Sequence, residues 1–148
     1  MKKLLTAMAA PNAAATSFGL LLLRLCFGGY MSLAHGWMKW KMPVDQFPDV
    51  LGIGKWSYYG AVASELGCGL LVALGLFTRA ACLPLIFTMG VAILKVHAND
   101  PWAMSGAGGS KEPAMIYLAA FAAILFAGPG RYSVDGALGC TACDRTKA

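Results

Sequence analysis

Four long apolar stretches organise the chain, at residues 17–38, 56–77, 80–96 and 113 to about 127. The first two match the roughly 20 residues that an α-helix needs to cross a bilayer. The last two are shorter, but interfacial side chains such as Lys95, Trp102 and Tyr132 can complete them, because long or amphipathic side chains reach the headgroup layer. The pattern therefore predicts an all-α protein, a four-helix transmembrane bundle.

The composition agrees with a membrane location. Of the 148 residues, 58% are hydrophobic and 13% are charged, and the mean hydropathy is +0.62. We predict one membrane domain at residues 17–130, because no linker separates independent apolar cores; a lead-in at 1–16 precedes it and a polar C-terminal tail at 131–148 follows. The start of the chain resembles a signal peptide, but its apolar core is short, so we expect the lead-in to be retained.

The net charge of +5 does not indicate nucleic acid as a partner, because the basic residues are scattered singly or in pairs between apolar stretches. They are instead expected to set the orientation in the bilayer. Six Lys or Arg residues lie near the termini and the turn at residue 79, and five lie in or beside the other two loops. Both termini are therefore predicted to be cytoplasmic, with the chain in a bacterial-type inner membrane.

Two charges interrupt the first two apolar stretches. Arg24 and Glu65 would lie in hydrocarbon, where a central charge costs roughly 2.5 to 3.5 kcal/mol on the translocon scale. Opposite signs in consecutive helices predict that the two form a buried polar centre. One interpretation is a structural bridge that fixes the register of the helices. The other is a polar pocket in which Glu65, together with a histidine, transfers protons or binds a polar headgroup.

The two histidines, His35 and His97, are predicted to lie near the outer ends of the first and third helices. His35 shares a helical face with Arg24, because residues between them recur at steps of three and four. Facing histidines can bind haem or a transition metal, but an interfacial imidazole is ordinary, so haem is not favoured and no metal is predicted. Hydrogen bonding to a quinone needs only donors at a lipid-accessible cleft. We therefore consider both histidines as proton-transfer or ligand-binding residues.

The five cysteines fall into two groups. Cys26, Cys68 and Cys82 lie within or beside the predicted helices, where free cysteine packs as a small apolar side chain. Cys140 and Cys143 form a Cys-x-x-Cys pair in the polar tail, a spacing compatible with a redox dithiol or half of a metal site. With no second pair and no nearby histidine, incidental reduced thiols are the favoured interpretation of this candidate thiol pair.

The chain resembles the DoxX family of membrane proteins, and the resemblance covers residues 18–135. It is carried by six features in a fixed order relative to the apolar stretches: residues 24–28, 35–39, 65–71, 75–79, His97 and 128–135. The resemblance implies a four-helix membrane bundle. It also implies an association with oxidoreductase systems, including subunits of thiosulfate:quinone oxidoreductase and complexes that handle thiols or oxidative stress.

Two functions remain open at this point. The first is an integral membrane subunit of a quinone-linked redox system, with quinone as the small molecule and soluble or membrane redox subunits, or further copies of the chain, as partners. The second is a non-catalytic membrane anchor or assembly factor for partner proteins. Transport is less favoured, because the chain shows no inverted repeat or pair of broken helices. Whether the protein is an enzyme is left open.

Overall fold

The computed structural model of the protein describes residues 13–104 and 108–145, with side chains as far as residue 139. Five helices account for most of this part of the chain, and it contains no strand. The helices are α1 (Ala13–Lys41), α2 (Lys55–Leu74), α3 (Thr78–Val96), α4 (Glu112–Ala127) and α5 (Val134–Arg145). The first three are long and apolar enough to cross a membrane, and α4 is a shorter apolar helix. The predicted all-α membrane bundle is confirmed.

Three details differ from the sequence-based expectation. Helix α1 already includes Ala13, the first described residue, and so extends before the predicted start at residue 17; most of the predicted lead-in lies outside the described residues. Helix α5 occupies the tail, which carried no helix prediction because its residues are mainly small and polar. For the loop at 42–54 the sequence predicts a short amphipathic or re-entrant segment at the outer interface, whereas the structure has one short 3-10 turn there, Val44–Gln46. The two prolines of this loop, Pro43 and Pro48, limit helix formation there.

Helices α1 and α2 pack antiparallel with their backbones in close contact. On α1, Gly28, Ser32 and Gly36 recur every four residues and face α2. A Cβ atom added to Gly28 would lie 2.8 Å from the backbone nitrogen of Ala73, and one added to Gly36 would overlap the backbone of Leu66. The hydroxyl of Ser32 also donates to the carbonyl of Leu66 at 2.9 Å. Small residues at this spacing hold membrane helices together through close packing, and here they fix the register.

The apolar core lies between all four helices of the bundle. Nine of its side chains are buried: Met31, Val72, Ala81, Cys82, Leu85, Met89, Ala114, Phe121 and Ile124. Large apolar side chains also cover the outside, as at Leu33 and Phe126, which are 74% and 81% exposed. A surface of this kind is stable against lipid and costly in water. The bundle is therefore apolar both inside and outside, as expected for a protein surrounded by a bilayer.

Substituting Gly36→Ala should destabilise the fold. The added methyl group would overlap the α2 backbone and separate the two helices, which costs about 1–3 kcal/mol of unfolding free energy for an overpacked site. Thermal unfolding of the purified protein in detergent measures this loss. Gly67→Ala is the matched control, because its added Cβ meets no atom within 4 Å. An unfolding temperature for Gly36→Ala equal to or above that of the control would contradict the predicted contact.

Candidate functional site

Arg24 is fully buried, and its guanidinium holds the end of the bundle where α2 turns into α3. Nη2 donates to the carbonyl of Tyr132, in the segment that follows α4, and Nη1 donates to the carbonyl of Ala73 at 3.4 Å. Gly75 leaves room for the guanidinium, since an added Cβ would collide with it, and its φ of +73° suits glycine. Arg24 therefore ties α1 to the α2–α3 turn and to the C-terminal segment.

Asp135 completes this connection from the start of α5. Its carboxylate accepts hydrogen bonds from the amides of Phe77 and Thr78, at 2.8 and 2.9 Å, and from the Thr78 hydroxyl at 2.9 Å. Its own amide donates to the carbonyl of Gly75 at 2.8 Å. Burial by itself raises the pKa of Asp135. The hydrogen bonds from Thr78 and Phe77, with the charge of Arg24, outweigh burial and hold this pKa below its ordinary value.

Glu65 has a different partner from the one that the sequence suggested. Its side chain is buried, and Oε1 accepts a hydrogen bond from the ammonium of Lys39 in an ion pair. The pairing of Arg24 with Glu65 was therefore wrong, although both residues are buried as predicted. The cause is the helix register: Glu65 lies beside Gly36, and Arg24 is twelve positions earlier on α1, about three helical turns away along the axis.

Glu65 Oε2 is buried and has no hydrogen-bond partner among the described residues. Buried polar atoms without a partner are uncommon in native proteins, because leaving one unsatisfied costs about 1–3 kcal/mol. Lys39 is partly exposed, with 28% of its side chain accessible. The carboxylate is therefore held on one side by a cation, and its other oxygen is free to accept a hydrogen bond.

This carboxylate lies in the wall of a cavity of about 550 Å³, at the end of the bundle where the loop at 42–54 and His97 lie. The volume is within the range of small-molecule sites. Apolar side chains from all four bundle helices and from the loop at 42–54 form most of its wall. The polar groups in the wall include His35, Lys39, Ser57, Glu65, Thr88 and His97.

His35 and His97 both line this cavity, at different places. The His35 ring lies between two tyrosine rings, with centroid distances of 5.9 Å to Tyr30 and 5.6 Å to Tyr117. His97 Nδ1 lies 2.7 Å from a carboxylate oxygen of Asp100. The structure therefore brings the two predicted histidines and Glu65 to one cavity and leaves Arg24 at the other end of the bundle. Their roles in proton transfer or ligand binding remain predictions.

The loop at 42–54 covers one side of the cavity and is held in place by Asp49. The Asp49 carboxylate accepts hydrogen bonds from the Ser57 hydroxyl and from the amides of Ile53 and Gly54, at 2.6, 3.0 and 2.7 Å. These hydrogen bonds hold the pKa of Asp49 below its ordinary value, and the bond from Ser57 has the largest effect. The ring of Phe47 also packs edge to face on Tyr58, at 5.6 Å between centroids. The cavity is therefore bounded by an ordered loop.

The cysteines contribute no site within the described part of the chain. Cys26 is exposed, Cys68 is partly buried and Cys82 is fully buried, and all three are free thiols. Cys140 and Cys143 fall in α5, but their side chains lie outside the described residues. The thiol pair therefore stays a prediction. Among the described residues, no group of three or more His, Cys, Asp or Glu side chains could hold a metal ion.

Sequence reasoning missed Lys39, which was interpreted as an ordinary topological anchor. The sequence does contain a sign that Lys39 faces the bundle interior, because Lys39 follows His35 by four residues and so lies on the same helical face. It also missed Tyr132, which acts through its backbone carbonyl and so leaves no trace in the residue type. From the sequence, Asp135 can hold the tail at the membrane interface, but its hydrogen bonds to the α2–α3 turn are visible only in the folded structure.

These features define a helical membrane protein whose bundle is tied together at one end and encloses an apolar, partly charged cavity at the other. The DoxX family model matches residues 19–98. A membrane protein of Mycobacterium tuberculosis, described as uncharacterized, is 31% identical over an alignment of length 135; the match covers 78% of this chain and 80% of that protein. The chain belongs to the DoxX family, as the sequence resemblance predicted. No solved structure is significantly similar to it.

The Asp135 connection predicts a specific dependence of stability on pH. Because its pKa is lowered on folding, the carboxylate contributes stability above its ordinary pKa of 3.8, and this contribution is lost as pH falls through the lower value of the folded state. We expect Asp135→Asn to cost about 1–2 kcal/mol of unfolding free energy at neutral pH and to weaken the acid dependence. Detergent unfolding between neutral pH and about pH 3 tests this.

Asp45→Asn is the control for this measurement, because Asp45 is exposed on the loop at 42–54, at the opposite end of the bundle. It should keep the neutral stability and the acid dependence of the wild type. An acid dependence in Asp135→Asn as steep as in the control would contradict the role assigned to this carboxylate.

Proposed function

We propose that this protein is an integral membrane subunit of a quinone-linked redox system and that its cavity binds the head group of a quinone or quinol. The observation that carries the proposal is the buried carboxylate of Glu65, a residue that lines an otherwise mainly apolar cavity and whose Oε2 has no hydrogen-bond partner among the described residues. A site of this composition suits a ligand with an apolar body and few polar atoms. Quinones and quinols have this composition, with two oxygen atoms on a substituted ring.

The residues around the carboxylate suit a hydroxyl group. Glu65 is paired with Lys39, so it acts as a carboxylate, which accepts hydrogen bonds and does not donate them. A quinol hydroxyl could donate to Oε2 and satisfy an acceptor that is otherwise without a partner. His35 supplies a second polar group in the same wall, and an imidazole can donate or accept a proton near neutral pH.

A bound quinone or quinol would supply reversible chemistry that moves two electrons and two protons. Glu65 and His35 would accept or return the protons, since both lie in the cavity wall and both can carry one. Lys39 would hold the Glu65 carboxylate in place and balance its charge while the proton moves. The two electrons would pass to or from a redox-active partner protein. The partner is thus part of the proposal and makes the chain a subunit.

A membrane anchor or assembly factor is the second candidate, and the other end of the bundle favours it. Arg24 and Asp135 fix the start of α5 against the α2–α3 turn, so that α5 is presented at a defined place beside the bundle. A helix held in this way could receive a partner protein. An anchor needs no ligand in the cavity. If this is the function, substitutions at Glu65 should change the amount of the protein in the membrane and leave quinol oxidation per molecule unchanged.

The substitution Glu65→Gln separates the two candidates. It keeps the size of the side chain but removes the charge that binds both Lys39 and the proposed hydroxyl group. A hydrogen bond to a charged group is worth about 1.5–3 kcal/mol, so we expect quinol affinity to fall about tenfold to a hundredfold. Quinol oxidation by membranes that contain the protein should fall as well. Mass spectrometry of bound quinone and an assay of quinol oxidation measure the two effects at matched protein abundance.

Glu112→Gln is the matched control, because Glu112 lies at the same end of the bundle, is exposed and does not line the cavity. It should retain the wild-type quinone content and oxidation rate. The redox proposal fails if Glu65→Gln binds quinol and supports its oxidation as well as this control does. A loss of abundance without any change in activity per molecule would favour the anchor.

A further inference from the structure

Helices α2 and α3 separate from each other along the cavity. They are joined by a hydrogen bond of 2.9 Å between the hydroxyls of Ser64 and Thr88, and they stay in contact from there to the turn at Gly75. On the other side of this bond, the Lys55–Val62 part of α2 makes few backbone contacts with α3. The two helices therefore diverge toward the loop end of the bundle and leave a gap between them.

The gap connects the cavity with the outer surface of the bundle. Trp56 and Phe87 line the cavity and are also 66% and 64% exposed, so the cavity wall continues onto the outside at these side chains. Gly60 lies about one turn after Trp56 on α2. It is exposed, lines the cavity and has no atom within 4 Å of an added Cβ. The α2 side of the passage therefore carries no side chain at this position.

The position of the gap places its opening against lipid tails. From Thr88 to Val96 the gap follows nine residues of α3, about two helical turns or roughly 11 Å. A typical hydrocarbon core is about 30 Å thick, so an opening of this length that begins in the middle of α3 faces the acyl chains of one leaflet. The side chains along it, including Phe87 and Val91, are apolar. An apolar chain could lie there with little change of environment.

The seam between α1 and α4, across the cavity, is filled by side chains. The His35 ring packs on Tyr117 of α4, and the ring of Phe27 packs on the same tyrosine at 5.5 Å between centroids. Tyr30 covers His35 from the outside, since it is 60% exposed and its ring contacts that of His35. A ligand whose polar head group reaches Glu65 would therefore extend toward α2 and α3.

We propose that the gap between α2 and α3, bordered by Trp56, Gly60 and Phe87, is a subsite for the apolar tail of the ligand whose head group lies at Glu65. The inference rests on the proposed function and narrows it: the ligand is a lipid-soluble quinol with a long tail, taken up sideways from the bilayer. A cavity of about 550 Å³ that is open to lipid suits a molecule of which the head group alone is enclosed.

The substitution Gly60→Phe tests the subsite, because a benzyl group at this position fills the passage. The full-length protein in liposomes is assayed for equilibrium binding of two probes, a quinol with a decyl tail and the same quinol without the tail. We expect Gly60→Phe to bind the tailed quinol about tenfold more weakly, which corresponds to about 1.4 kcal/mol, and to bind the tailless quinol as the wild type does. Gly67→Phe, also on α2, exposed and free of neighbours, should match the wild type for both probes.

The outcomes are distinct. Wild-type affinity of Gly60→Phe for the tailed quinol overturns the subsite but leaves the proposed function standing. An equal loss for both probes also overturns it, because the phenylalanine would then block the head-group site.

If the wild type binds neither probe, the quinol assignment fails, and a photocrosslinking experiment then tests whether the gap between α2 and α3 holds an apolar tail. A benzoylphenylalanine in place of Phe87 should capture a specific tailed molecule, and one in place of the outward-facing Phe126 should capture bulk phospholipid. Identical lipids at both positions would overturn the subsite.

Discussion

The close approach of α1 and α2 is the constraint on which the rest of the structure depends. Gly28, Ser32 and Gly36 let the two backbones touch, and the contact admits one register, because a shift along the axis would bring side chains where only a hydrogen atom or a small group fits. That register decides the partners of both buried charges. It places Glu65 beside the last turns of α1, near Lys39, and it places Arg24 beside the turn that ends α2.

The two ends of the bundle therefore use buried charge in different ways. At the turn end, Arg24 donates to two backbone carbonyls, its Nε has no partner among the described residues, and Asp135 holds the same turn, so the charge serves to connect helices that would otherwise be joined by apolar contacts alone. At the loop end, the Glu65 and Lys39 pair borders an open cavity, and one carboxylate oxygen is left without a partner. In a medium of low polarity an unsatisfied acceptor is costly, so a site that keeps one is suited to a ligand that donates to it.

Much of this fold could be predicted from the sequence. The apolar stretches gave the four bundle helices, because about 20 apolar residues in a row have few alternatives to a membrane helix. The burial of Arg24 and Glu65 also followed from their place in those stretches. Their partners did not, since sequence position fixes a residue's height only relative to its own helix, and the contact between helices fixes the rest. The four-residue spacing that puts Lys39 on the same face as His35 can be read from the sequence. The hydrogen bond from Arg24 to the carbonyl of Tyr132 and the helix α5 cannot, because neither has a distinctive residue pattern.

The most direct test of this account is a pair of double-mutant cycles on the free energy of unfolding in detergent, one for Lys39→Met with Glu65→Gln and one for Arg24→Gln with Glu65→Gln. Residues in one ion pair show interaction energies of about 0.5–3 kcal/mol, whereas distant residues add within about 0.5 kcal/mol. We predict coupling in the Lys39 cycle and additivity in the Arg24 cycle. Coupling between Arg24 and Glu65, with additivity between Lys39 and Glu65, would contradict the register and the separation of the two sites.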